Sequence, residues 1–113
     1  MQKFLKLLKE TPESISFEDT MKIIEKNYIF TPMAFVNGDV KNKADENNGS
    51  CKLFAFAKLQ KLNEQDTLNC FGQYYRQDVL NDPNGDNHQN IRNFIKTGWA
   101  SLDFKNQALV LKN

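Results

Sequence analysis

The chain has 113 residues, of which 40% are hydrophobic and 26% are charged, and its formal net charge is +1. This composition predicts one globular domain over residues 1–113 and argues against intrinsic disorder. The near-neutral charge argues against sequence-independent binding of nucleic acid, which needs an excess of basic residues.

Targeting and cofactor signals are absent from the sequence. No apolar run approaches the roughly 20 residues of a membrane span, and we expect no secretory signal peptide. Cys51 and Cys70 are too few for a disulfide framework, which predicts reduced thiols in a cytosol. These cysteines and the single histidine have no zinc-ligand spacing, and no phosphate loop or dinucleotide fingerprint is present. We therefore expect neither a metal nor a cofactor.

The N-terminal residues predict two amphipathic helices. Residues 1–10 place Phe4 and three leucines on one side and lysines on the other. This pattern predicts a helix packed on the core. The alternative is a helix that lies on a membrane surface or in a partner's groove. Ser16 and Asp19 predict a capping box that starts a second helix, which ends at Asn27.

The middle of the chain predicts an extended segment, a long loop and two helices. Residues 28–36 are rich in β-formers, and Pro32 makes them an edge strand or a broken segment. Residues 37–50 form the longest predicted loop, in which the oxygen ligands lack the spacing of an EF-hand calcium site. A strongly apolar helix at 50–62 and a longer helix at 63–81 follow.

Two glycines affect the predicted helices in the C-terminal part of the chain. Gly72 lies inside the predicted 63–81 helix, where we expect it to allow the close approach of another backbone or of a ring such as Trp99. Asp86, with Gln89 three residues later, is predicted to cap a fifth helix, which Gly98 then ends.

The last residues predict a terminal β-hairpin, built from 102–104 and 108–111, that pairs with the 28–36 segment. The predicted fold class is therefore α+β. About five helices pack on a small antiparallel sheet of two or three strands.

Four stretches of the chain resemble the HopJ type III effector family. They are TPMAFVNG at 31–38, NGSCKLFAF at 48–56, TLNCFGQYYR at 67–76 and HQNIRNF at 88–94, with Gly98 and Trp99 after the last. The resemblance implies a bacterial protein, present in the bacterial cytoplasm and delivered by a secretion needle into a host cell. It also implies a host protein as a partner, and it brings no catalytic residues with it.

Cys51 and His88 form a candidate catalytic pair. Ser50 as an N-cap would place Cys51 at the first helical position, where the helix dipole favours a thiolate. A neutral His88, oriented by Asn90 or Asp86, would act as the base of a thiol hydrolase or transferase. In the alternative, Cys51 is an inert buried residue and His88 forms local hydrogen bonds.

A protein-binding module is the function that the sequence favours over an enzyme. The family stretches contain more Asn, Gln, Arg and aromatic residues than solubility requires, and Arg and aromatic residues anchor many protein interfaces. In the alternative, these residues form a buried polar network that joins the helices to the long loop. The candidate binding residues are Asn37, Asn48, Gln73, Tyr74, Arg76, Asn90, Arg92 and Trp99.

Overall fold

The computed structural model describes residues 1–112; Asn113, which the domain prediction included, lies outside the described residues. Its architecture confirms the predicted α+β class. The α-helices are α1 (Gln2–Glu10), α2 (Phe17–Asn27), α3 (Asn48–Leu59), α4 (Glu64–Asn69) and α5 (Gln89–Thr97). The strands are β1 (Tyr28–Phe30), β2 (Phe35–Asn37), β3 (Val40–Asn42), β4 (Leu102–Phe104) and β5 (Leu109–Leu111). Two 3-10 turns (Pro12–Ser14 and Trp99–Ser101) and one π-helical turn (Tyr74–Val79) complete the described elements.

The strands form two separate antiparallel sheets, with the orders β1-β5 and β3-β2-β4. The predicted terminal hairpin is therefore wrong, because β4 pairs with β2 while β5 pairs with β1. The predicted extended segment 28–36 breaks around Pro32 into β1 and β2, and each half takes one of the C-terminal strands. The pairing of this segment with the C-terminal strands is confirmed. The predicted 37–50 loop also contains a strand, β3, which forms a hairpin with β2.

Helix α3 is buried on nearly every side, as its apolar sequence predicts, although it spans Asn48–Leu59 instead of 50–62. The Phe54 ring contacts the rings of Phe71 and Phe94, at centroid distances of 5.3 and 5.0 Å. The Phe56 ring contacts Phe4 of α1 at 5.9 Å. Full burial of such a side chain contributes about 1.5–3 kcal/mol. Helix α3 therefore joins the N-terminal helix to the C-terminal half of the chain.

The N-terminal helices follow their sequence signals. Helix α1 buries Phe4 and Leu8, which confirms the packing of residues 1–10 on the core. The N–H of Asp19 donates to the Ser16 hydroxyl, and the Asp19 side chain accepts from the Ser16 N–H, which confirms the capping box of α2. In residues 1–112, no helix is long and apolar enough to cross a membrane.

The predicted 63–81 helix is wrong, because Gly72 divides it into α4 and the π-helical turn. Gly72 has a φ of +61°, in the left-handed region that L residues rarely adopt. A Cβ at this position would lie 2.4 Å from the backbone nitrogen of Phe17. The expected close approach of another backbone is therefore confirmed. The ring of Trp99 packs instead on Phe94, at 5.2 Å.

The start of α5 also differs from the prediction. Helix α5 begins at Gln89, with His88 in the left-handed region (φ 52°) as its N-cap, so Asp86 does not cap it. Instead, the Gln89 side-chain amide donates to the backbone carbonyl of Asp86 at 2.6 Å. Gly98, at φ 59°, ends the helix as predicted.

We predict that Gly72→Ala lowers the free energy of unfolding by about 2–4 kcal/mol, because it adds left-handed strain to a clash with the α2 backbone. Urea unfolding measures this change. Gly85→Ala is the matched control, since its close neighbours are the ends of the Asp82 and Arg92 side chains, which can move. Equal effects of the two substitutions would contradict the assignment of Gly72 as the packing contact.

Candidate functional site

A partly open cavity of about 460 Å³ lies where the first turns of α3 and α5 meet, and we call it the α3–α5 pocket. Among the predicted site residues, His88, Tyr74 and Asn90 line it. The full lining is Phe17, Val40, Asn47, Gly49, Ser50, Phe71, Tyr74, His88, Gln89, Asn90 and Ile91. These residues come from several distant parts of the sequence, so only the fold brings them together.

Three half-buried rings form one wall of the α3–α5 pocket. Tyr74 lies between Phe17, at a centroid distance of 5.0 Å, and His88, at 5.1 Å. The Tyr74 and His88 rings are stacked, with an angle of 24° between their planes. Gly49 allows this arrangement, because a Cβ there would lie 2.8 Å from the end of the Phe17 ring. The wall offers an apolar, planar surface that suits an aromatic or aliphatic group.

A carboxylate on the π-helical turn holds the imidazole of His88 in place. The Nε2 atom of His88 lies 3.0 Å from Oδ2 of Asp78. The prediction that Asn90 or Asp86 orients this ring is therefore wrong. Asp78 on one side and the Tyr74 ring on the other fix the orientation of His88 at the edge of the pocket.

The pocket is also lined by residues at the N-termini of two helices, α3 and α5. Neither N-cap side chain, Asn47 for α3 or His88 for α5, accepts a hydrogen bond from its helix backbone. Both N-caps adopt the left-handed conformation, with φ values of 54° and 52°. In α5, the N–H of Ile91 donates to the His88 carbonyl at 3.0 Å. The first N–H groups of a helix have no partner in a preceding turn, and the helix dipole favours a negative or acceptor atom near them.

Four asparagine side chains, from Asn37, Asn42, Asn47 and Asn90, hold the two helix N-termini against the β2–β3 hairpin. The Nδ2 atom of Asn37 donates to the backbone carbonyl of Asn90 at 2.7 Å and to its Oδ1 at 3.1 Å. Asn90 and Asn42 exchange amide hydrogen bonds at 3.0 and 3.2 Å. Asn47 donates to Oδ1 of Asn42 at 2.7 Å. We call these residues the asparagine cluster.

The sequence left two alternatives open for these residues, a binding site and a buried polar network, and the asparagine cluster has features of both. Asn37, Asn42 and Asn90 are buried, as expected of a polar network that joins helices to a loop. Asn90 also lines the pocket, so the network supports the pocket wall directly. Within the described residues, Oδ1 of Asn37 is the one buried side-chain acceptor without a hydrogen-bond partner.

Gln73 and Arg76 attach the N-terminal helices instead of lining the pocket. Gln73 accepts from the Phe17 N–H at 3.1 Å and donates to the Glu18 carboxylate at 2.8 Å. The Arg76 guanidinium donates to two backbone carbonyls in the connection between α1 and α2. Both side chains therefore position α2, which carries Phe17 into the pocket.

Arg92, Asn48 and Trp99 also have structural contacts outside the pocket. Arg92 donates to backbone carbonyls of the 82–87 loop. Asn48 donates to a carboxylate of the loop before α3 at 3.4 Å, and Nε1 of Trp99 donates to a backbone carbonyl after α3 at 3.0 Å. The structure does not bring the eight candidate binding residues into one groove.

Sequence reasoning missed Phe17, Asn42 and Asn47 as residues of this site. Phe17 fits the apolar stripe of α2 and gave no separate signal. Asn42 and Asn47 fit a solvated loop. The available signal was the number of amides between residues 37 and 48, which contain four asparagines, because buried loop backbones are often satisfied by asparagine side chains.

Cys51 is the fourth residue of α3, and not the first as predicted, because the helix begins at Asn48. Its side chain is buried, and Sγ donates to the backbone carbonyl of Met33 at 3.6 Å. Burial raises the pKa of the Cys51 thiol above its ordinary value, which opposes the formation of a thiolate. His88 lines the α3–α5 pocket and Cys51 does not. The geometry therefore gives no support to a thiol nucleophile in this pocket.

We predict that both cysteines resist alkylation in the folded protein at about pH 8, because a thiol reacts as its thiolate. Burial, together with the nearby Asp66 carboxylate, raises the pKa of Cys70 to about 12. Mass spectrometry after a short iodoacetamide pulse should find both thiols unlabelled, and the same pulse in concentrated urea should label both. Fast, selective labelling of Cys51 in the folded protein would restore the thiol-enzyme hypothesis.

A comparison with protein families shows the family to which this chain belongs. The family described as HopJ type III effector protein matches residues 1–109. The chain belongs to the HopJ family. A crystal structure of a protein of unknown function, VPA0580, is 54% identical to it, with a TM-score of 0.98 over 99% of this chain and 93% of that chain. A search of the curated proteins found no match.

Three of the four HopJ-like stretches line the α3–α5 pocket, and the fourth contacts it through the asparagine cluster. Residues 48–56 supply the first turn of α3, and residues 67–76 supply Tyr74. Residues 88–94 supply His88 and the first turn of α5, which includes Asn90. The remaining stretch, 31–38, contributes Asn37 of the asparagine cluster. The sequence features that resemble the HopJ family therefore converge on this pocket. Within residues 1–112, no group of three or more His, Cys, Asp or Glu side chains could hold a metal ion.

Proposed function

We propose that this HopJ-family protein is a protein-interaction module that receives a side chain of its partner in the α3–α5 pocket. One observation carries the proposal. The stacked rings of Tyr74 and His88 line a pocket of about 460 Å³ together with the N-termini of α3 and α5, whose N-cap side chains accept no hydrogen bond from the helix backbone. Concave sites with an apolar wall and a few convergent polar groups are the usual form of binding sites.

The rings and the helix N-termini that line the pocket favour a group with an apolar or planar body and an acceptor at its tip. The rings of Phe17, Tyr74 and His88 would contact the body of such a group. The first-turn N–H groups of α3 and α5 would donate to a carbonyl or carboxylate oxygen. Tyrosine, glutamine and glutamate side chains of a partner have this combination.

The pocket is organised before any ligand arrives. Asp78 and Tyr74 hold the His88 ring, and the asparagine cluster holds the first turns of α3 and α5. Side chains that are already ordered lose little conformational entropy on binding, so more of the contact energy appears as affinity. This preorganisation supports recognition of a specific partner group.

The family description supports a host protein as the partner. Type III effectors are bacterial proteins delivered into host cells, and the family matched here carries that description. The proposal therefore places the chain in the bacterial cytoplasm before delivery and gives it a host protein as its partner. Bacterial origin and delivery are parts of this proposal.

A quantitative pull-down from host-cell extract tests the proposed function. We expect the unmodified chain to enrich a partner that His88→Ala and Gln89→Trp each retain at least about tenfold less well, a loss of about 1.4 kcal/mol. His88→Ala removes half of the stacked pair, and Gln89→Trp fills the pocket from its exposed rim.

Gln2→Trp is the matched control, because it places the same large ring at an exposed position on α1. It should retain the partner as well as the unmodified chain does. Circular dichroism of each variant checks that the fold is intact. A partner that the pocket variants and the control retain equally would contradict the proposal, and so would the absence of any enriched protein.

A further inference from the structure

A second concave surface lies at the other end of α3. A cavity of about 540 Å³ separates the last turns of α3 from the chain between β4 and β5. Its floor is apolar and includes Leu59, Phe104 and Leu109, and Lys58 and Lys61 also line it. We call it the lysine groove. Helix α3 has twelve residues and is therefore about 18 Å long, with the α3–α5 pocket at its N-terminal end and the lysine groove at its C-terminal end.

Two smaller cavities extend the lysine groove in both directions. One, of about 290 Å³, shares Lys58 and Lys61 and continues to Trp99. The other, of about 250 Å³, shares Leu59 and Leu109 and continues along β5. The three cavities are neighbours, because they share lining residues. Several adjoining cavities fit an extended polypeptide segment better than a compact small molecule.

Large apolar side chains beside the lysine groove are exposed to solvent. Leu59 is 46% exposed and Leu111 is 60% exposed, and both line the cavity that continues along β5. Contiguous exposed apolar surface beside charged residues is typical of interaction sites. The floor therefore provides a place for an apolar anchor residue of a bound segment.

The charge of the groove has one sign. No acidic side chain lines any of the three cavities, and within residues 1–112 neither Lys58 nor Lys61 forms a salt bridge. By contrast, Lys9 pairs with Asp66, and Lys52 lies 3.8 Å from Glu25. The Lys58 ammonium lies 5.8 Å from the centre of the Phe104 ring, directly beside the apolar floor.

We propose that the lysine groove binds an acidic segment of a partner protein. An apolar side chain of the segment would pack on Leu59 and Phe104, and flanking carboxylates would pair with Lys58 and Lys61. The charge complementarity selects an acidic segment, and the apolar floor between the lysines selects one with an apolar anchor. This surface is separate from the α3–α5 pocket, so the proposal goes beyond the function proposed above.

Selection from a random peptide display library against the full chain tests the proposal. We expect enrichment of peptides in which Asp or Glu flanks a Leu, Phe or Trp. Fluorescence polarisation with a labelled, selected peptide should then show tighter binding at low salt, as expected of charge-assisted binding. The double variant Lys58→Glu/Lys61→Glu should lose at least about tenfold in affinity. It should instead gain affinity for the same peptide with its acids replaced by lysines.

Lys41→Glu/Lys43→Glu is the matched control, because it makes the same change in net charge on and beside β3. It should bind the acidic peptide as the unmodified chain does. His88→Ala should also leave this binding intact, which separates the lysine groove from the α3–α5 pocket. The proposal is overturned if acidic peptides are not enriched, if the two double variants bind equally, or if the lysines bind anionic vesicles but no peptide.

Discussion

The hydrogen bonds of the asparagine cluster are the constraint on which the site depends. They connect three segments that are far apart in the sequence: the β2–β3 hairpin, the first turn of α3 and the first turn of α5. Buried amides must be hydrogen-bonded, because an unpaired buried polar group costs about 1–3 kcal/mol. Asn90 bonds both Asn37 and Asn42, so its side chain links the α5 N-terminus to both strands of the hairpin. These hydrogen bonds place both helix N-termini beside the pocket.

Helix α3 relates the two proposed binding surfaces. Its first turn forms part of the α3–α5 pocket, its middle is buried in the aromatic core, and its last turns carry Lys58 and Leu59 into the lysine groove. The two surfaces therefore share a rigid, fully packed scaffold, and one partner or two could be held at a fixed separation. Cys51 belongs to this helix, and its thiol is buried there.

The features that the sequence predicted correctly include those that depend on interactions between neighbouring residues. The capping box of Ser16 and Asp19 and the end of α5 at Gly98 are formed within one helical turn, so their residue types suffice. The fold class and the apolar character of α3 follow from composition and pattern. The break at Gly72 could not be predicted in this way, because its cause is a contact with α2, more than fifty residues away in sequence. The pairing of β4 and β5 with different sheets has the same kind of cause, since three-residue strands carry too little pattern to specify a partner.

The free energy of unfolding of Asn90→Ala, measured with urea, tests the central role of the asparagine cluster most directly. Asn93→Ala is the matched control, since Asn93 lies on the same helix and its side chain makes no hydrogen bond within the described residues. Our account predicts a loss of about 2–4 kcal/mol for Asn90→Ala, because the amides of Asn37 and Asn42 lose their partner, and a loss below about 1 kcal/mol for Asn93→Ala. Equal losses for the two variants would contradict it.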